Sequence, residues 1–132
     1  MVMDFDDVIS FPIKTTITEV QSTILSLTNN TTLKFNGKID WNMLYAIVES
    51  MTTNNTVYIA LDFSNTTGIT EWYNWFSEVQ TLYAISLPNT IKNIERYAFY
   101  KCTNLRSIIL PENVSSIGYW AFTDCSKLEY IN

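Results

Sequence analysis

The sequence predicts an α/β fold in which strand-containing repeats stack into a solenoid with one curved parallel sheet. Three observations support this prediction: a 23-residue repeat in the last third of the chain, strand and helix patterns in the first half, and a globular composition. The 132 residues are 47% hydrophobic and only 16% charged. A chain of this length and composition is able to bury a core without metals or disulfides, and one domain over residues 1–132 is expected.

The repeat is visible when LPNTIKNIERYAFYKCTNLRSII (87–109) is aligned with LPENVSSIGYWAFTDCSKLEYIN (110–132), which gives eight identical positions in 23. The identical residues of the first copy are Leu87, Pro88, Ile94, Ala98, Phe99, Cys102, Leu105 and Ile108. Residues between them change in charge and size, as Glu95 to Gly118 and Lys101 to Asp124 indicate. A buried lattice with a variable exterior is typical of stacked repeats. We therefore expect Phe99 and Phe122 to lie one above the other.

A weaker copy precedes these two in residues 68–88, where Phe76 takes the position of Phe99 and Val79 that of Cys102. Each copy contains an L-x-x-I-x-L core, which predicts a short strand whose alternate residues point inward. A proline follows the strand and ends its ladder, because proline has no backbone N–H. The return segments are expected to be irregular or 3₁₀.

The first half of the chain predicts longer units. TTLKFNG and TVYIALDFS alternate like strands, and DWNMLYAIVESM between them has helical spacing behind a possible N-cap, Asp40. Residues 33–86 are thus expected to form long atypical repeats, followed by two 23-residue repeats in residues 87–132. Four or five parallel strands should make up the sheet.

A further helix is predicted over residues 16–28, where apolar residues recur at helical spacing and Thr16 and Glu19 fit a capping box. Repeat arrays need a terminal cap, so this helix is interpreted as the N-terminal cap, within residues 1–32. The acidic start, with Asp4, Asp6 and Asp7, is expected to be flexible.

The motif L-P-x-x-[IV]-x-x-I-x-x-x-A-F-x-x-C-x-x-L-x-x-I in residues 87–132 resembles the BspA-type leucine-rich repeats of bacterial surface proteins. The upstream run VYIALDFSNTTGITEWYNWF resembles the atypical first repeats of treponemal members. The resemblance implies a leucine-rich-repeat solenoid that is secreted or exposed on the cell surface. It also implies adhesion to host matrix proteins or to other bacterial surface proteins.

The sequence argues against catalysis. It contains no histidine, which removes Ser-His and Cys-His nucleophile activation and the commonest zinc ligand. Its three glycines, Gly37, Gly68 and Gly118, are far apart and form no phosphate-binding loop. With a net charge of −5 and eight scattered basic residues, the sequence does not predict the positively charged patch that binds nucleic acid. We therefore predict no enzyme activity, no cofactor and no metal.

Cys102 and Cys125 occupy the same repeat position, so stacking should place them on neighbouring turns about 5 Å apart. Reduced, buried, structural thiols are the favoured interpretation, because Val79 fills the equivalent position one repeat earlier. A disulfide stays open as the alternative if the Cβ vectors converge.

A protein-binding face is expected on the strand side, where residues between the buried positions form parallel columns. Its predicted members are Lys34, Tyr58, Ala60, Asp62, Tyr83, Ser86, Arg106, Ile109, Tyr130 and Asn132. Tyrosine and arginine are favoured at hot spots, which raises Tyr58, Tyr83, Arg106 and Tyr130 above the others. Two alternatives are a carbohydrate-binding module that uses exposed aromatics and a structural segment of a longer array. Trp72 and Trp75 replace lattice positions, so packing is expected for both.

The remaining predictions concern location and assembly. No stretch approaches the roughly 20 apolar residues of a membrane span. The start of the sequence lacks the basic and apolar regions of a signal peptide, so a cytoplasmic location stays open beside the cell surface. The last repeat stops within its strand, which predicts an exposed apolar edge. Such an edge would favour end-to-end self-association or continuation of the array.

Overall fold

The computed structural model of the chain describes residues 5–132. These residues form two helices and nine strands, in a mixed α/β arrangement compatible with leucine-rich repeats. In chain order they are β1 (Asp7–Phe11), α1 (Ile17–Ser26), β2 (Thr31–Lys38), α2 (Trp41–Thr53), β3 (Ile59–Thr67), β4 (Glu71–Trp72), β5 (Leu82–Ser86), β6 (Asn93–Ile94), β7 (Ser107–Ile109), β8 (Ser116–Ile117) and β9 (Tyr130–Ile131). A 3₁₀ turn, Asn74–Phe76, follows β4.

Six strands form one sheet in the order β1-β2-β3-β5-β7-β9, and every neighbouring pair is parallel. The register gives the length of each repeat unit. Asp7 pairs with Thr31 and Thr31 with Ile59, which are units of 24 and 28 residues. Ile59 pairs with Leu82, and Ala84 with Ser107, which are units of 23 residues. The predicted parallel pairing of the segments near 82–87 and 105–110 is confirmed.

The start of the chain differs from the sequence prediction. Residues 7–11 form strand β1, which pairs with β2 over its whole length, so Asp7 lies in an ordered strand and not in a flexible start. Asp4 lies outside the described residues. Helix α1 is found where it was predicted, and the Thr16 hydroxyl accepts a hydrogen bond from the Glu19 N–H at 3.2 Å. Helix α1 connects β1 to β2, so the segment that was predicted as the N-terminal cap also contributes a strand to the sheet. The alternation in VISF is too short to be distinguished from a loop by sequence alone.

The β2-α2-β3 order is confirmed, although β3 begins and ends three residues later than the predicted segment of residues 56–64. The Asp40 side chain caps α2 by accepting a hydrogen bond from the Met43 N–H at 3.2 Å. Leu44, Ile47 and Met51 are fully buried, whereas Trp41 is 59% exposed although it shares their helical spacing.

An aromatic stack runs along the core on the inner face of the large sheet. Ring centroids of Phe11 and Phe35 are 5.0 Å apart, and those of Phe35 and Phe63 are 4.9 Å apart. The stack continues through Trp72 to Phe99 and ends at Phe122. The rings of Phe99 and Phe122 are 5.5 Å apart and inclined by only 9°, as the repeat predicted.

The return side of the last repeats is more regular than predicted. Strands β4, β6 and β8 form a second parallel sheet, in addition to the 3₁₀ turn. Backbone groups also form hydrogen bonds between neighbouring repeats. The Lys92 N–H donates to Thr70 O and the Ser115 N–H donates to Lys92 O, each at 2.8 Å.

Two position pairs that the alignment interpreted as freely variable are conformationally constrained. Lys101 and Asp124 both have a positive φ, at 55° and 61°. A Cβ on Gly118 would lie 2.5 Å from the Arg96 N atom, so the later repeat needs glycine where the earlier one has Glu95. The side chains at these positions differ between repeats, but the backbone conformation restricts which residues can occupy them. No helix among residues 5–132 is long and apolar enough to cross a membrane.

Candidate binding face

The candidate site lies on the outer face of the six-stranded sheet, which we define as the face opposite the aromatic stack. Register places the predicted residues in columns across the strands. Lys34 pairs with Asp62, Asp62 with Ser86, and Ser86 with Ile109, so these four residues form one column. A second column connects Thr32, Ala60, Ala84, Ser107 and Tyr130. The columns follow from the period of two in β-strands.

Three of the predicted hot-spot residues come together at the start of their strands. The ring centroids of Tyr58 and Tyr83 are 6.0 Å apart, and the Arg106 guanidinium lies 5.7 Å from the Tyr83 ring centroid. Arg106 also forms a salt bridge of 3.3 Å with Glu129 on the next turn. We call Tyr58, Tyr83 and Arg106 the aromatic cluster. The cluster is partly accessible to solvent, because Tyr58 is 38% exposed and the Arg106 side chain is 40% exposed.

Other predicted face residues are buried. Ser86 is 5% exposed and Ala60 is fully buried, although both occupy outer-face positions in the register. Thr32, Ala84 and Ser107 in the same region are also buried. These small side chains form a floor between longer neighbours, so they are not available as contact residues in the way the sequence prediction supposed.

The rest of the predicted face is accessible. Lys34 and Tyr130 are exposed, and Asp62 and Ile109 are half-buried. The Asp62 carboxylate accepts hydrogen bonds from the N–H and the hydroxyl of Ser64, at 2.9 and 2.6 Å. Asn132 is exposed, and its backbone N–H donates to Ile108 O at 3.1 Å.

Sequence reasoning missed Phe5 at this site. The Phe5 ring centroid lies 4.6 Å from that of Tyr83, with the planes inclined by 42°. Phe5 precedes β1, whereas Tyr83 belongs to β5, three strands away in the sheet. Phe5 lies outside the aligned repeats, so the repeat could not assign it a position. Its position follows only from tertiary structure.

The two cysteines are free thiols with equivalent partners. Cys102 Sγ donates to Phe76 O at 2.9 Å, and Cys125 Sγ donates to Phe99 O at 3.0 Å. Removal of the thiol from water raises the pKa of Cys102 from 9.0 to about 12, and the nearby Cys125 adds to this rise. Burial also raises the pKa of Cys125. Both groups are therefore poor nucleophiles at neutral pH, as structural thiols are.

The aromatics of the return side divide into buried and displayed groups. Trp72 is fully buried and stacks on Phe76, with ring centroids 5.6 Å apart, so its predicted packing role is confirmed. Trp75 is half-buried against the core. Tyr119 and Trp120 are 78% and 56% exposed. Within residues 5–132, no group of three or more histidine, cysteine, aspartate or glutamate side chains is placed to hold a metal ion.

Comparison with known families agrees with the repeat pattern. The family described as the BspA type leucine rich repeat region, a model of six copies, matches residues 67–132, which is half of the chain. The match includes the weaker copy that precedes the two clear repeats. No curated protein matches the chain. The parallel strands of these residues repeat at a 23-residue step, in agreement with the family match. The chain therefore belongs to the BspA-type leucine-rich-repeat family.

Proposed function

We propose that the chain is a non-enzymatic protein-interaction module, a repeat solenoid that binds a protein ligand through the outer face of its large sheet. The family supports a role in protein interaction. The observation that carries the choice of face is the aromatic cluster, because Tyr58, Tyr83 and Arg106 lie at the starts of β3, β5 and β7, which are neighbours in the sheet. Tyrosine and arginine supply large contact areas and are enriched at interface hot spots.

We further propose that the module acts in adhesion at the cell surface or after secretion. Members of this family typically have such locations. The proposed ligand is a host matrix protein or another bacterial surface protein. Residues 1–132 would act as a single domain, with Lys34, Asp62, Ile109 and Tyr130 on the rim around the aromatic cluster.

The double variant Tyr83→Ala, Arg106→Ala tests the proposed face. Loss of two hot-spot side chains should weaken binding to a matrix protein by a factor of at least about 30, which corresponds to about 2 kcal/mol. A panel of matrix proteins immobilised beside a glycan array measures this by biolayer interferometry. Tyr119→Ala is the matched control, because it removes an exposed tyrosine from the return side.

The result has three informative outcomes. Loss of matrix binding in the double variant, with Tyr119→Ala unchanged and both folded by circular dichroism, supports the proposal. Binding to glycans alone would contradict it. Equal matrix binding by the parent and the double variant would move the site away from the aromatic cluster.

We also propose self-association through the C-terminal end of the stack. Ile117 and Ile131 on the edge strands β8 and β9 are 52% and 55% exposed, and Phe122 and Leu128 beneath them are only half-buried. Exposed strand edges with apolar side chains are templates for pairing with another chain.

A further inference from the structure

Phe5 makes an unusual contact for a residue at the edge of a sheet. It precedes β1, yet its ring packs on Tyr83 of β5, and β2 and β3 lie between these two strands. Neighbouring strands are about 4.8 Å apart, so the contact crosses about 14 Å of sheet. The chain therefore does not continue β1 backwards in a straight line at Phe5. Phe5 instead packs against the aromatic cluster, which is a tertiary contact.

The contact lies beside accessible groups, because Tyr58 is 38% exposed and the Arg106 side chain is 40% exposed. The 4.6 Å between Phe5 and Tyr83 is the shortest ring separation among the described aromatic pairs. The small outer-face residues Ala60, Ala84 and Ser107 are buried, so a ligand would contact the aromatic cluster and not these residues.

The one charged member of the aromatic cluster is paired, since Arg106 forms a salt bridge with Glu129. The Asp62 carboxylate keeps its charge, although it accepts hydrogen bonds from Ser64. Lys34, two strands away, is the exposed cation of the neighbouring column. Recognition at the aromatic cluster should therefore depend on ring contacts and only weakly on the charge of the ligand.

We propose that the aromatic cluster is the docking site for an extended segment of a protein partner that presents one aromatic side chain, and that Phe5 occupies this site within the free chain. The proposal rests on the proposed function and adds the chemistry of the ligand and a competitor for it. A phenylalanine ring in the place of Phe5 stacks on Tyr83, as Phe5 itself does. An occupant that is part of the same chain acts at a high effective concentration, so a partner has to displace it and binds more weakly than to an empty site.

A peptide of residues 3–8, MDFDDV, carries the occupant in its own sequence and is the probe. Its fluorescein conjugate is titrated with the full chain and with the full chain carrying Phe5→Ala, and anisotropy is measured. We expect Phe5→Ala to bind the peptide at least tenfold more tightly than the parent does. The peptide MDADDV, which lacks the ring, should bind neither protein. A rise from low to high salt should change the affinity less than twofold.

Two further variants identify the site. In the Phe5→Ala chain, Tyr83→Ala should abolish the gain in peptide binding, whereas Tyr119→Ala should leave it unchanged. Thermal unfolding monitored by circular dichroism confirms that each variant is folded. Equal peptide binding by the parent and Phe5→Ala would overturn the proposal, as would a gain that survives Tyr83→Ala or a failure of folded Phe5→Ala to bind MDFDDV.

The same proteins separate this proposal from the proposed function. Matrix binding that is lost in the Tyr83 and Arg106 double variant, but equal in the parent and Phe5→Ala, would overturn the role of Phe5 and leave the binding face intact. Peptide binding that depends on Phe5 and Tyr83, without binding to any matrix protein, would support the docking site and contradict the adhesive function.

Discussion

Phe99 has the most central environment of the repeated aromatic positions. It is fully buried, and rings of Trp72, Phe76 and Phe122 lie within 6.5 Å of its centroid. Phe122 occupies the same position one repeat later but is only half-buried, because no later turn covers it in residues 5–132. Identical residues in identical repeat positions should therefore contribute unequally to stability.

We predict that Phe99→Ala lowers the free energy of unfolding by about 3–5 kcal/mol, the range for a fully buried phenylalanine. Phe122→Ala should cost less than about 2 kcal/mol, because part of its ring is already in contact with water. Urea unfolding followed by tryptophan fluorescence measures both. Equal losses in the two variants would contradict the difference in burial on which the prediction depends.

Cys102 makes stability depend on pH above neutrality. Its folded-state pKa of about 12 lies above the ordinary value of 9.0, so the unfolded chain ionises first as the pH rises. The stabilisation from keeping this thiol neutral is fully present below pH 9.0 and is lost as the pH rises toward about 12. Burial is the main cause of the shift.

We predict that Cys102→Val removes this pH dependence. Valine is an appropriate replacement because Val79 occupies the equivalent position one repeat earlier. Between pH 8 and about pH 10.5 the parent should lose on the order of 1–2 kcal/mol more unfolding free energy than the variant does. All other ionisable groups are common to the two proteins, so their contribution cancels in the difference. A parallel decline of the two proteins would contradict the prediction.

The buried positions of the repeat can be predicted from the sequence, but the backbone conformation of the residues between them cannot. Periodicity identifies Phe99, Cys102 and Ile108 because burial requires apolar side chains at a fixed step. It does not identify the left-handed backbone at Lys101 and Asp124, because neither residue type reveals it. Phe5 is missed for a different reason, since its contact with Tyr83 arises from the approach of segments far apart in the chain.

Helices α1 and α2 are joined at their C-terminal ends by one side chain. Asn54, the C-cap of α2, donates from Nδ2 to Ile24 O at 2.8 Å and to Leu27 O at 3.0 Å. Its Oδ1 accepts from the Thr56 N–H and hydroxyl. The last carbonyls of a helix have few partners within the helix, so the Asn54 amide supplies hydrogen-bond donors at the C-terminal end of α1.

We predict that Asn54→Ala destabilises the chain by about 1–3 kcal/mol, because the Leu27 carbonyl loses its Asn54 donor and the Ile24 carbonyl keeps only the Leu27 N–H. Asn55→Ala is the matched control. It removes the same functional group from the adjacent, exposed residue and should change stability by less than about 0.5 kcal/mol. Thermal unfolding by circular dichroism compares them. The interpretation of Asn54 as the link between the helices would fail if both variants unfolded at the same temperature.

The elements of the N-terminal half show where sequence patterns are sufficient. Helix α2 is identified because an N-cap and a long apolar stripe agree with each other. Strand β1 has only five residues and one buried side chain, Phe11, so its pattern carries little information. It is held by parallel pairing with β2, which is a tertiary interaction. The unit of residues 7–30 therefore becomes apparent only when the sheet is assembled.

At the scale of the whole molecule, each turn contacts mainly its neighbours, as the strand order and the aromatic stack indicate. The 23-residue period predicts this order for the last three turns, since equal steps bring equivalent residues together. The earlier units of 24 and 28 residues break the period and lack its motif. Parallel stacking leaves two unlike ends, one at β1 and one at β8 and β9.

The two ends of the stack differ in how readily they should pair with another chain. The β1 edge is preceded by Asp6 and begins with Asp7, and charges at an edge strand oppose intermolecular pairing. The opposite end instead displays Ile117 and Ile131, each more than half exposed. We therefore propose that two copies of a polypeptide of residues 1–132 associate through this end, in a symmetric contact that closes as a dimer.

We predict that the weight-average mass of residues 1–132, measured by light scattering, rises with protein concentration toward that of a dimer. Ile131→Lys should keep the protein monomeric over the same range, because it places a charge in the contact. Val8→Lys is the control on the opposite edge strand, where Val8 is 51% exposed, and should associate as the parent does. Suppression by Val8→Lys as well would indicate head-to-tail contact, and a mass independent of concentration in the parent would contradict association altogether.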